Sequence, residues 1–247
     1  MKVSIVIPAH NEEKRIERTL RTYLKYYDCL QEEHAFNTEF VVVLNGCTDS
    51  TFAIVKAIQK DHDNVVIIDT AEAGKGLAIK LGFEDALTRD NDLIGFVDAD
   101  MATSPSEFYK LIDTIGDYDG IIASRYMKDS YVYPKRPLVK EWGRKLFFHS
   151  LIFTLFGMGF KDYQCGAKLF RYKIIKKVTP YLNIKQWAID VEIIYLCKKF
   201  GLKIKEIPTA WYDQEHSKLK VMRAGTRMLG ALFEIRLRHS PFSFLYK

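Results

Sequence analysis

Two aspartates, Asp98 and Asp100, stand in "LIGFVDADMATSP" directly behind an apolar run that reads as a buried strand. Strand side chains alternate faces, so residues two apart point the same way and the two carboxylates are expected close together. Like charges at that range repel. Either they form an acidic turn in solvent, or they form a hard-oxygen site for Mg2+ or Mn2+, ions that keep several waters and exchange some of them for phosphate oxygens. Asp-x-Asp alone favours the turn. A second candidate is Lys75 in "AGKGLAIKLGFEDAL", a glycine-flanked lysine entering a helix whose first N–H groups could face an anion. It is not a P-loop, because Asp69 and Gly76 stand where a glycine and a Ser or Thr are needed, nor a dinucleotide fingerprint, because Ile79 holds the third glycine position. By itself it reads as a helix start with a solvated lysine.

These residues need elements to position them. "VSIVIP", "EFVVVLN", "NVVIID", "LIGFVDAD" and "GIIAS" are uninterrupted, β-branched runs of the kind buried on both faces of a parallel sheet. Helical patterns lie between them, over Asn11 to Cys29, Asp49 to Lys60, Gly76 to Leu87 and Pro105 to Ile115. Strand and helix in alternation predict a doubly wound α/β sheet with right-handed crossovers. Ligands bind such sheets beyond the carboxyl ends of the strands, where strand order reverses. "PAHNEE", "NGCTDST" and "DADMATSP" follow the first, second and fourth strands and so converge on one rim. Thr48, Asp49 and Ser104 are also good helix caps, which accounts for them better than it accounts for Asp98 and Asp100. In the second half, Lys135 to Phe160 predicts one or two helices, "CGAKLFR" a strand, Ala188 to Phe200 a helix, "LKIKEIPTAW" a strand entering a turn, and Lys218 to Arg238 a final amphipathic helix. One domain over residues 1–217 with a C-terminal helix and tail over 218–247 is expected, packed on the domain or facing a membrane.

Composition narrows the partners. Of 247 residues, 37 are Lys or Arg and 31 Asp or Glu, and the net charge of +6 suits anionic partners without choosing among them. Cys29, Cys47, Cys165 and Cys197 form no C-x-x-C pair, so neither a zinc cluster nor a disulfide framework is expected, and reduced cytosolic thiols are the simplest reading. The opening "MKVSIVIPAHNEE" reads as a strand and loop, not a signal peptide. The apolar window from Leu146 to Phe160 is short of the ~20 residues that a spanning helix needs. His10 is assigned no role. No nucleic-acid recognition motif appears, and none is expected as a partner.

Taken together and in order, "VSIVIPAHNEE", "VVVLNGCTDST", "GKGLAIKLGFEDA", "FVDAD", "ASRY", "DYQCGAKLF" and "WAIDVEIIYLCKKFGLKIKEIP" resemble the pattern of glycosyltransferase family two, above all the branches that glycosylate dolichyl phosphate. The resemblance runs from Val3 to about Ile235. It implies a GT-A type fold: a Rossmann-like, mostly parallel α/β sheet flanked by helices, joined to an acceptor-binding C-terminal part. By position it places Pro8, Ala9 and Glu12 around the base and ribose of a nucleotide sugar, Lys75 near its phosphates, Asp98 toward the nucleoside and Asp100 on the metal, Mg2+ or Mn2+. Asn45 departs from the usual aspartate at the base, and Ala102 from a ligating glutamine. Arg125 and Arg144, with Lys145 as a substitute for the latter, match acceptor-phosphate arginines, a role the planar guanidinium suits. Asp162 and Gln164 match a motif at the sugar and acceptor, Asp162 contacting sugar hydroxyls or acting as base toward an alcohol. Asp190 and Glu192 match an Asp-x-Glu, read as orienting.

The activity so implied is inverting, metal-dependent transfer of a hexose, glucose from UDP-glucose first, onto a polyprenyl or dolichyl phosphate. GDP-mannose as donor, a soluble glycan acceptor, and nucleotide-sugar binding without turnover are the alternatives. Lys135, Arg136, Lys140, Arg144 and Lys145 before the apolar window, and Lys218, Lys220, Arg223, Arg227, Arg236 and Arg238 among Leu219, Met222, Leu229, Leu232 and Phe233, suit an anionic membrane surface held peripherally, on its cytoplasmic face. Packing of those apolar faces on the core is the competing expectation.

Overall fold

The computed structural model describes residues 1–33, 36–134, 148–213 and 221–240, with backbone alone for 32–33 and 221–226. In chain order the elements are β1 (Lys2–Ala9), α1 (Ile16–Glu33), β2 (Asn37–Asn45), α2 (Thr51–Gln59), β3 (Val65–Thr70), α3 (Lys75–Ala86), β4 (Leu93–Val97), α4 (Pro105–Thr114), β5 (Gly120–Ser124) and β6 (Tyr131–Tyr133). Next come α5 (148–156 among the described residues), β7 (Ala167–Arg171), α6 (Tyr172–Val178), a 3-10 turn (Thr179–Tyr181), α7 (Ile189–Lys199), β8 (Ile204–Pro208), β9 (Ala210–Tyr212) and α8 (Val221–Arg238).

Seven strands form one sheet in the order β3-β2-β1-β4-β7-β5-β8, parallel except that β7 runs opposite to both its neighbours. The chain steps one way through β1, β2 and β3, then returns to place β4 on the other side of β1, so strand order reverses between β1 and β4. β6 and β9 pair parallel as a separate two-stranded sheet.

Four of the five uninterrupted apolar strands, β1, β2, β4 and β5, are buried on both faces, whereas β3, at the sheet edge, is only partly buried. Val3, Ile5, Ile7 and Ala9 of β1 and Phe40, Val42 and Leu44 of β2 join one core with α1, α2 and α4. Val6, Val41, Val43, Ile94 and Phe96 join the other, with α3, α6, α7 and α8. This is the period of two expected of strands covered by helices on each side. Ser104 caps α4, its side chain accepting from the Glu107 N–H, with Pro105 at the first helical position, as the sequence predicts.

Two expectations are revised. The first helix begins at Ile16, not Asn11, because Asn11 takes a left-handed conformation (φ 53°) and the following residues turn. "LKIKEIPTAW" forms two strands, β8 and β9, in different sheets. The final helix packs on the domain: Leu232 and Ile235 are buried in the second core, and His239 just beyond it hydrogen-bonds Glu192 at 2.8 Å. Phe233 and Leu237 stay exposed on its outer side. All four cysteines are free thiols. No helix among the described residues is long and apolar enough to cross a membrane.

Candidate active site

β4 ends at Val97, and the two aspartates lie in the turn that follows, where Met101 has φ 65° and Asp100 Oδ1 accepts from the Ala102 N–H at 2.9 Å. Their proximity therefore comes from a turn, not from strand alternation. Helix α1 braces that turn from behind: Thr19 donates its hydroxyl to Ala99 O and Tyr23 to Thr103 O, both at 2.8 Å. Burial, then the neighbouring Asp98 charge, pushes the Asp100 carboxyl up to about 6, against the opposing pull of the Ala102 N–H, Arg15 and Lys75. Burial and the same two aspartates raise Tyr23. The turn is thus a place of surplus negative charge. Across from it, Gly166 precedes β7 and accepts the Asp98 N–H at 3.0 Å, and a Cβ there would lie 1.9 Å from Asp98 Oδ2. Any side chain at 166 would therefore have to displace the Asp98 carboxylate.

Lys75 is not a solvated lysine. Its Nζ lies 2.7 Å from Asp98 Oδ1 and 3.3 Å from Asp190 Oδ2, between the rings of Phe96 and Trp187. At the start of α3 one N–H is already engaged by a neighbouring segment. The Leu77 N–H donates to Lys185 O at 3.1 Å, and Cβ atoms at Gly74 and Gly76 would meet Lys185 O and Ile184 O at 2.4 and 2.1 Å. The glycines of "AGKG" admit a neighbouring backbone segment, 184–186.

Behind Lys75, Asp190 gives its other oxygen to Lys168 Nζ at 2.5 Å, and Lys168 also donates to Cys165 O at 2.6 Å. Burial alone would raise the Asp190 carboxyl, but Lys168 and Lys75 outweigh it and hold it below its ordinary value. Asp98, Lys75, Asp190 and Lys168 thus form a line of alternating charges running from the rim into the core. Glu192, two residues on, accepts the Asn183 and Ile184 N–H groups at 3.0 and 2.9 Å as well as His239. The Asp-x-Glu pair orients its surroundings, as the sequence reading holds.

On the β1 and β2 side, Pro8 and Ala9 end their strand at the reversal point. Asn45 is buried, its amide donating to Ala9 O at 2.8 Å and accepting from the Gly74 N–H at 3.0 Å. It fastens three loops together, and its departure from aspartate follows: a carboxylate could not donate to Ala9. The amide expected at the nucleotide base is thus engaged by the surrounding backbone. His10 donates Nδ1–H to Asn45 O at 2.6 Å. Glu12 is held fork-to-fork by Arg15, Nε to Oε2 and Nη2 to Oε1 both at 2.7 Å.

The third group follows β5. Arg125 Nε and Nη2 donate to Asp162 Oδ2 and Oδ1 at 2.7 and 3.0 Å, and the Arg125 and Gln164 N–H groups add two more bonds, at 3.0 and 3.1 Å. Trp211 stacks near the guanidinium at 5.3 Å, and β9 carries it there by pairing with Thr103. Burial raises and Arg125 lowers the Asp162 carboxyl, with the lowering prevailing. These four bonds match the number of acceptor sites a carboxylate offers, and two of them fix the Arg125 guanidinium. Gln164 is half-buried beside it. Arg144, Lys145 and the other basic residues of 135–147, with Lys218 and Lys220, lie outside the described residues.

Arg15 and Lys168 were not singled out from the sequence. Arg15 sits in "NEEKRIER", which reads as a solvated charge run. Lys168 had a usable signal: a lysine inside the apolar strand "GAKLF" must find a buried partner.

The glycosyl transferase family 2 sequence model matches residues 4–179. The chain is 30% identical to a dolichyl-phosphate beta-glucosyltransferase of Dictyostelium discoideum, over 96% of this chain and 74% of that one. It is 32% identical to that of Saccharomyces cerevisiae (96% and 75%) and 31% to that of Homo sapiens (96% and 76%). Among solved structures, glucosyl-3-phosphoglycerate synthase from Mycobacterium tuberculosis, in complex with Mn2+, uridine-diphosphate and glucosyl-3-phosphoglycerate, superposes with a TM-score of 0.68 at 17% identity, covering 95% of this chain and 79% of that one. S. aureus TarS 1-349 superposes at 0.60 and 17%, covering 98% and 66%. Identities this low speak to the fold alone, which is GT-A-like.

Proposed function

The chain belongs to glycosyl transferase family 2 and is a glycosyltransferase, and we propose that it moves glucose from UDP-glucose onto the phosphate of dolichyl phosphate, with a divalent cation at Asp98 and Asp100. The observation that carries this reading is the placing of two unlike groups at one rim. The carboxylate pair follows β4 and the Arg125–Asp162 pair follows β5, with β7 alone between the two strands. Two strand spacings put them roughly 10 Å apart, room for a sugar between a diphosphate and an incoming phosphate. The dolichyl-phosphate beta-glucosyltransferases at about 30% identity supply the donor sugar and acceptor.

The residues fit a hard cation. Asp100 is a half-buried carboxylate with one backbone partner and a repelling neighbour, a charge that a cation would relieve. Among the described residues no third acidic, Cys or His side chain joins the pair, so phosphate oxygens and water complete the shell. A bound Mg2+ or Mn2+ would neutralise the leaving diphosphate. Lys75, at the same rim, adds a positive charge beside it.

The acceptor chemistry follows from the engagement of Asp162 by Arg125. An alcohol needs a base, whereas a phosphate monoester with a second pKa near ~6 is already an oxyanion at neutral pH. That oxygen attacks the anomeric carbon as the bond to the UDP oxygen breaks, inverting the configuration. What the attack requires is a cation to admit one anion beside another, and Arg125, held in plane by Asp162, is built for it. Membrane contact would be peripheral, through exposed Phe233 and Leu237 with Arg227 and Arg236 around them.

Labelled UDP-glucose and GDP-mannose offered in parallel with dolichyl phosphate, with and without chelator, test this. Lipid-bound label from UDP-glucose alone, lost on chelation, is expected. Label from GDP-mannose alone, or transfer untouched by chelator, would overturn it.

A further inference from the structure

Lys168 is the second residue of β7, opposite Phe96 of β4 and Ile122 of β5, and its side chain is wholly buried. Holding an ammonium there costs several kcal/mol of desolvation, and a buried ion pair is on average no better for stability than an apolar pair of the same volume. Its geometry offers another use. Lys168 takes Asp190 Oδ1, Lys75 lies 3.3 Å from Asp190 Oδ2, and the same ammonium lies closer, at 2.7 Å, to Asp98 Oδ1. Lys75 therefore chooses between two carboxylates, and Lys168 weakens the claim of one.

We propose that Lys168 is a positioning residue of the transfer site: by neutralising Asp190 it leaves Lys75 against Asp98, and so sets the charge that Asp98 and Asp100 offer a divalent cation. This rests on the proposed transfer site in one respect, that the pair binds a cation. The direction can be worked out. Without the Lys168 charge, Asp190 draws Lys75 inward and Asp98 is uncovered. With Asp190 neutral as well, Asp98 keeps Lys75 to itself.

The test is Mn2+ titration of the purified full chain without nucleotide, followed by the electron paramagnetic resonance signal of free Mn2+, with thermal melting recorded in parallel. Lys168→Met should bind Mn2+ roughly three- to tenfold more tightly than the unsubstituted chain, the scale of one charge partly screened at this distance. Its kcat for transfer at saturating Mn2+ should nonetheless fall, because Lys75 has left the rim. The double variant Lys168→Met with Asp190→Asn should bind Mn2+ more weakly than the unsubstituted chain. A role in packing alone would lower the melting temperature and move neither affinity. Equal affinities in all three proteins, or shifts of the same sign in both variants, would overturn the proposal and leave the transfer site standing. If Lys168→Met does not fold, the double variant, which leaves no unpaired buried charge, decides: unchanged or tighter binding overturns the proposal. No Mn2+ binding by the unsubstituted chain would overturn the cation site itself, and the proposal with it.

Discussion

Asp162→Asn separates two jobs that one carboxylate could do. As a base, Asp162 would matter to the chemical step and hardly at all to the fold. The structure gives it the opposite emphasis: it is buried, and it accepts four hydrogen bonds, two of them from the Arg125 guanidinium. An asparagine keeps one acceptor oxygen but turns an N–H2 toward either Nε or Nη2, donor against donor, and removes the charge that balances Arg125. Breaking one partner of a buried pair costs about 3–5 kcal/mol. For a chain of this length each kcal/mol moves the melting temperature by about 2–4 °C, so a drop of roughly 6–20 °C is expected. Transfer measured well below that melting temperature should show a raised KM for dolichyl phosphate, with the pH profile keeping its shape, because no titrating base has been lost. Differential scanning fluorimetry and a radiolabel transfer assay over pH 5.5–8 read the two quantities. An unchanged melting temperature together with loss of the acidic limb of the rate profile would refute the positioning argument and return Asp162 to the role of base.

Other perturbations have defined outcomes. Asp100, pushed up to about 6, is protonated below that pH, so Mn2+ affinity measured by calorimetry should be level above pH 7 and fall about tenfold per unit below about 6; a flat profile to pH 5 would contradict the raised value. Asp162 and Asp190 are held below their ordinary 3.8, so the stability they lend is complete above that pH and is lost as pH falls toward their native values. Urea melts between pH 6 and 3 should record the loss, and less of it in Asp162→Asn. Gly166→Ala places a methyl 1.9 Å from Asp98 Oδ2 and should abolish detectable UDP and Mn2+ binding while the chain stays folded by circular dichroism. Glu192→Gln weakens the tie to His239 and to the 183–184 N–H groups, and should bring earlier proteolysis of α8 than in the unsubstituted chain, read by limited trypsin digestion.

Much of this arrangement was legible in advance, and for a physical reason. The strand runs are continuous because the sheet is covered on both faces, and that continuity forces loops such as "PAHNEE" and "DADMATSP" to one rim. The roles of particular side chains were harder to read. Lys75 looked solvated because nothing local shows that Asp98 and Asp190, from residues 23 and 115 positions away in the chain, close around it. The ties of Asn45 to Ala9 O and the Gly74 N–H are hidden because backbone partners are not advertised by a sequence. The backbone that the glycines beside Lys75 admit, 184–186, is hidden for the same reason, being distant in sequence.

The reversed strand β7 has one further consequence. Because it alone runs against its neighbours, β5 leaves the sheet at Ser124 and the chain re-enters at Ala167 on the same edge, one strand over. Both ends of that stretch, Ser124 and Ala167, therefore stand at the rim that carries Asp98 and Asp100. A change of length within that excursion need not re-register β1, β2, β3 or β4, whose pairings all lie outside it or on the far side of β7.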